Sequence, residues 1–201
     1  FGMVARGGSA SVLLIVSEDA EPQALLRDWV LPHELSHLLL PYVERDHSWL
    51  SEGFATYYQE VLLARAGLPS EQEAIRRLAE SLRSVSAQAG ETSLVDECAR
   101  LELTRDYRKV YWGGAAYWLD LDVKLRAQGL ELDALLHALR ALPSARELWS
   151  ARQLVAQLDA LSGTKLFTSG FDDAARQPFP PFEDALRALD DPALRARLFT
   201  R

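Results

Sequence analysis

Cysteine is almost absent from this chain: of 201 residues only Cys98 carries a thiol, so no internal disulfide is possible. A chain of this length buries roughly 70% of the surface its unfolded form exposes and needs no such staple. One cysteine is compatible with the cytosol and equally with a bacterial periplasm, so the compartment stays open. Basic residues are also in deficit. The net charge of −7 argues against a nucleic-acid partner, which calls for a basic patch. No apolar run reaches the roughly 18 residues of a spanning helix, so no transmembrane segment is expected. Internal repeats, low-complexity tracts and interdomain linkers are lacking too. Residues 1–201 therefore read as a single domain, and the abrupt start at Phe1-Gly2-Met3 suggests a piece of a longer protein.

Strand signals are few. Ser11-Val12-Leu13-Leu14-Ile15-Val16 is β-branched and apolar, with Gly7-Gly8 before it and Glu18-Asp19 after. Met3 to Arg6 could add a second strand or an extended edge. Beyond Pro22 the pattern is helical. One helix is expected from Pro22 to about Leu40, stopped by Pro41, with Pro32 either kinking it or marking its true start. Ser48 is a candidate N-cap for a helix to Ala66, with Gly67 and Pro69 as stop signals. Further helices fit residues 70–88, 107–128, 131–141, 145–161 and 182–198, whereas Thr168 to Pro181 reads as an ordered surface loop. The fold class is mainly α with a small N-terminal β edge.

Only four histidines occur in the chain, and two of them fall in His33-Glu34-Leu35-Ser36-His37. Residues four apart share one face of a helix, so His33 and His37 can present both imidazoles to one metal ion. Zinc accepts such nitrogens and in catalytic sites often adds one carboxylate, leaving a position for water. Glu34 leans over the same face, where a carboxylate can take a proton from that water. Glu52 follows in Trp49-Leu50-Ser51-Glu52-Gly53. The connection over residues 41–48 is short enough to fold a second helix back antiparallel to the first, bringing Glu52 towards the histidines. The plainer alternative is a pair of ordinary core histidines and a solvated Glu34.

His33-Glu34-Leu35-Ser36-His37 together with Trp49-Leu50-Ser51-Glu52-Gly53-Phe54-Ala55 resembles the gluzincin metallopeptidases, in particular the glycyl-aminopeptidase and aminopeptidase-N families. The resemblance covers roughly residues 7 to 165. It implies a thermolysin-like catalytic domain, one Zn2+ held by His33, His37 and Glu52, Glu34 as general base, and a peptide or protein as substrate. These families also use a tyrosine in a Y-x-K-G context to hydrogen-bond the oxyanion. Here that implies Tyr111, in Tyr111-Trp112-Gly113-Gly114, with Tyr107 as fallback because Gly113 stands where the lysine would be. The small run Gly113-Gly114-Ala115-Ala116 would let this helix approach another backbone closely. The family's upstream strand carries a glutamate that grips the substrate's amino group. The stretch aligned with it here is Gly7-Gly8-Ser9-Ala10-Ser11, giving Gly8, Ser9 and Ala10 as candidate substrate contacts but no acid.

The expected activity is zinc-dependent hydrolysis of peptide bonds, with exo- or endo-action open. The competing expectation is a zinc-bearing binding or scaffold domain whose hydrolysis is weak or lost, and an enzyme acting on a non-peptide amide or epoxide is a third. Asp120, Asp122 and Thr56 are candidates for orienting a ligand histidine from behind. His47 is expected on the surface, with the cleft as the alternative, while His137, Cys98 and the tryptophans are expected to be mainly structural.

Overall fold

The computed structural model of the protein describes residues 1–5, 10–21, 23, 25 and 28–200. It is mainly α, 67% helical. Two strands, β1 (Gly2–Ala5) and β2 (Ser11–Leu14), pair antiparallel with Gly2 opposite Leu14 and Ala5 opposite Ser11. Between them and the core comes the short helix α1 (Val30–His37), with Asp28 and Trp29 before it not helical. The helix expected to run on from Pro22 therefore starts afresh at Val30. Asp28 Oδ1 accepts the Val30 N–H at 2.7 Å, and Pro32 falls in the first turn, where its missing N–H costs nothing.

The centre is made by α2 (Ser48–Arg65) and α5 (Tyr107–Ala127), which bury Trp49, Phe54, Tyr57 and Trp118 completely. They cross at Gly53 and Gly114. A methyl group at Gly114 would sit 1.9 Å from the Trp49 carbonyl oxygen and 2.7 Å from Gly53 Cα. Only hydrogen fits on either Cα there, as the small run at 113–116 led one to expect. Trp118 Nε1 donates to the Leu50 carbonyl at 2.8 Å and fastens the same crossing. At the far end Tyr57 donates to Asp122 at 2.7 Å, and the buried Arg126 closes on Asp122 at 2.9 Å.

Around this pair lie α3 (Glu71–Ser86), α4 (Leu94–Thr104), α6 (Leu132–Arg140), α7 (Ala151–Ser162), α8 (Leu166–Arg176), α9 (Glu183–Ala188) and α10 (Pro192–Phe199). A parallel pair of two-residue strands, β3 (Tyr42–Val43) and β4 (Leu148–Trp149), ties the connection after α1 to the start of α7. No helix among the described residues is long and apolar enough to cross a membrane.

Several boundaries differ from expectation. His47, not Ser48, occupies the N-cap of α2, and the Ser48 hydroxyl turns to Cys98 Sγ. The expected helix from residue 145 begins only at Ala151. Strand pairing at Leu148–Trp149 takes the chain first, and Ser150 then forms a capping box with Gln153. The span 182–198 breaks into two helices at Asp190-Asp191-Pro192, because Asp191 caps and Pro192 starts the second. Helix α4 was not anticipated at all; Ser93 caps it. The expected surface loop from Thr168 is helix α8, with Phe167 and Phe171 buried. Asp159 of α7 holds the start of α8 by accepting the N–H groups of Phe167 at 2.9 Å and Thr168 at 3.1 Å.

Candidate metal centre

Helix α1 lies against α2 in opposite sense, so that His33 meets Gln59 and Glu52 while His37 meets Ser51 and Glu52. The two imidazole Nε2 atoms converge on one carboxylate oxygen. His33 Nε2 is 3.3 Å and His37 Nε2 3.4 Å from Glu52 Oε2, and the three donor atoms all lie within 4.8 Å of one another. The expected trio is thus assembled on one helical hairpin.

The hydrogen-bond chemistry behind His33 tests whether this set suits a cation. Gln59 Oε1 lies 2.9 Å from His33 Nδ1, and Gln59 Nε2 donates to Glu60 Oε1 at 3.3 Å. The Glu60 contact fixes which end of the amide faces the histidine. An amide oxygen only accepts, so Nδ1 carries the proton, and in the neutral ring Nε2 then keeps its lone pair. That lone pair then faces a carboxylate oxygen, an arrangement that calls for positive charge between them. Two neutral imidazoles and one carboxylate, with a ring held from behind by an amide, are the donor set a zinc ion takes.

Gln59 was missed in the sequence. It stands seven residues after Glu52, two turns along the same face, and that spacing was its only signal. The residues considered for the role lie elsewhere. Asp120 pairs with Lys124 at 2.6 Å, Asp122 serves Tyr57 and Arg126 in the core, and Thr56 Oγ1 reaches no partner among the described residues.

A cleft of about 520 Å3 opens over the trio, and its described lining includes Gly2, Met3, Val4, Glu34, Tyr42 and Tyr111. Glu34 is nearly buried. Its carboxylate is backed by Gly2, where a Cβ would lie 2.9 Å from Oε1. The Tyr111 ring stacks on His33 with centroids 5.7 Å apart. Burial and the hydrogen-bonded Glu52 carboxylate push its hydroxyl well above the ordinary tyrosine range, so it remains a proton-bearing donor. Tyr107 does not line this cleft. It is half-exposed and belongs to a neighbouring hollow, with its ring edge-on to Tyr111.

Gly8 and Ser9 lie outside the described residues, and Ala10 is exposed and away from the described lining. Among the described residues the strand that borders the cleft is β1. It pairs with β2 along one edge, and three consecutive residues, Gly2 to Val4, face the cleft along the other.

Residues 41–116 match the M61 glycyl aminopeptidase family. The matched stretch, well under half of the chain, holds Glu52 and Tyr111 and begins just after the histidine helix. The chain thus resembles this zinc metallopeptidase family, and the match supports a metallopeptidase in general terms. No curated protein matches the chain.

Proposed function

We propose that the protein is a zinc-dependent peptidase in which His33, His37 and Glu52 hold the ion. The observation that carries this is the convergence of both Nε2 atoms on Glu52 Oε2 beneath a cleft that also contains Glu34 and Tyr111. Zinc, when bound there, supplies Lewis acidity toward water and the scissile carbonyl. The chain's own groups do the rest. Glu34, pressed into place by Gly2, takes the proton of the attacking water and passes it to the leaving amine. The Tyr111 hydroxyl donates to the developing oxyanion. The free edge of β1 pairs with an extended peptide through its backbone.

Residues 1–201 are read as one catalytic domain, since the cleft draws on elements from Gly2 to Tyr111, with β1 packed on α1 and α1 on α2. Strand β1 holds no carboxylate, and Glu34 and Glu52 are the acids in the described lining of the cleft. A free amino terminus therefore finds no dedicated partner on that strand, which favours cleavage that tolerates a blocked end.

The test is a peptide-library digest, with free and N-acetylated members, run with and without a chelator beside Glu34→Gln. Chelator-sensitive cleavage by the wild type, and zinc retained but cleavage lost in Glu34→Gln, are expected. Stoichiometric zinc with no cleavage of any peptide would instead support the reading of a zinc-bearing binding domain.

A further inference from the structure

Behind the histidine helix lies a second hollow, of about 480 Å3, which the hydrolytic reading leaves unused. Its floor comes from α2 and contains two buried side-chain oxygens without a hydrogen-bond partner among the described residues. Glu60 is 6% exposed and Thr56 3%, and neither Glu60 Oε2 nor Thr56 Oγ1 finds a partner among the described residues. A buried carboxylate oxygen left in this state costs free energy unless something else meets it. Burial also pushes the Glu60 carboxyl above its ordinary range.

The walls narrow the choice of ligand. Trp29, Tyr107 and Trp112 supply aromatic surface, with Trp29 and Tyr107 half-exposed at the mouth. Aromatic faces beside a carboxylate suit an ammonium group carried on an apolar body. Arg77 and Arg108 line the same hollow, and a purely cationic ligand would meet them unfavourably. Arg77 uses its Nε on Glu73, at 3.1 Å, and Arg108 is exposed. A ligand bearing both charges satisfies every part of the lining: its ammonium on Glu60 and Thr56, its carboxylate on the arginines, its side chain on the aromatic rings. The volume falls within the roughly 300–1,000 Å3 typical of small-molecule sites.

We infer that this hollow binds a free α-amino acid with an apolar or aromatic side chain. The site adjoins the metal centre without being part of it. Tyr111 lines both hollows, and Gln59 is hydrogen-bonded to His33 on one side and Glu60 on the other. An occupant gripping Glu60 would therefore bear on the amide that orients His33. Binding itself does not depend on the hydrolytic reading, so its test does not use turnover.

The test titrates the zinc-loaded protein with L-phenylalanine and follows Trp fluorescence, with calorimetry as a second readout. N-acetylphenylalanine, which lacks the ammonium, and phenylalaninamide, which lacks the carboxylate, stand in for the two ends of a peptide. Saturable phenylalanine binding is expected, weakened at least about tenfold in both analogues and in Glu60→Gln, and retained in Glu34→Gln. Should Glu60→Gln fail to fold, Tyr107→Ala at the exposed mouth is expected to weaken binding several-fold with the fold intact. Equal binding of N-acetylphenylalanine overturns the assignment of Glu60. Equal binding of phenylalaninamide overturns the free amino acid in favour of a peptide amino terminus. Loss of binding in Glu34→Gln with retention in Glu60→Gln would move the ligand to the metal cleft and refute the second site.

Discussion

Replacing Gly114 by alanine probes the crossing on which the site is built. The new methyl would lie 1.9 Å from the Trp49 carbonyl oxygen, about 1.5 Å short of ordinary van der Waals separation. Its neighbours there are backbone atoms of α2, so no rotamer change relieves the overlap and the helices must part. Overpacking of this kind costs about 1–3 kcal/mol and occasionally more. The gain in helix propensity from glycine to alanine, about 1 kcal/mol, offsets part of it. Because the clash is with main chain on both Trp49 and Gly53, a net loss of about 2 kcal/mol is expected, or roughly 4–8 °C in Tm for a chain of this size. Gly113→Ala is the internal control. There the methyl meets Leu94 Cδ2 at 2.6 Å, the end of a flexible side chain, and the same propensity gain applies. Its Tm should stay within about 3 °C of wild type. Thermal unfolding of both variants decides the matter, with peptidase assays alongside, since parting the helices also draws Tyr111 away from Glu52. If Gly114→Ala melts with Gly113→Ala, the close crossing is not what holds α2 and α5 together.

Gln59→Leu should keep the fold and lower zinc affinity by about 10–100-fold, read by chelator competition; unchanged affinity would remove Gln59 from any part in orienting His33. Tyr111→Phe should retain zinc and lose about 10²–10³ in kcat, whereas Tyr107→Phe should stay close to wild type, and the reverse result would hand the oxyanion role to Tyr107. The Asp133 carboxyl, pushed up by burial, is held down at about 2 by hydrogen bonds from Arg65 and Tyr58. Its folded-state value lies below the ordinary one near 4, so its contribution to stability is complete above about pH 4 and is lost as pH falls towards 2. Urea titrations of the wild type should show that loss, and Asp133→Asn should show a shallower decline over the same interval.

The amino-acid order by itself determined the parts of this protein that depend on local spacing. Two histidines four apart share a helix face wherever that helix is placed, and a carboxylate just beyond a short turn can fold back onto them. Adjacent glycines in a helix announced a close approach, and the backbone contact of Gly114 with Gly53 and Trp49 shows where it occurs. Helix α8 escaped notice because Gly170 and the prolines after residue 177 read as a loop; burial of Phe167 and Phe171 and capping by Asp159 of a neighbouring helix supply what local propensity lacks. Tertiary structure alone decided that β1 contributes Gly2, Met3 and Val4 to the described lining of the cleft, and that Gln59 rather than an aspartate stands behind His33. It also placed Glu60 beneath an aromatic hollow. Periodicity says which residues share a face. Which face meets which depends on packing between segments far apart in the chain, and a backbone contact such as Gly53 on Gly114 has no side-chain pattern to reveal its partner.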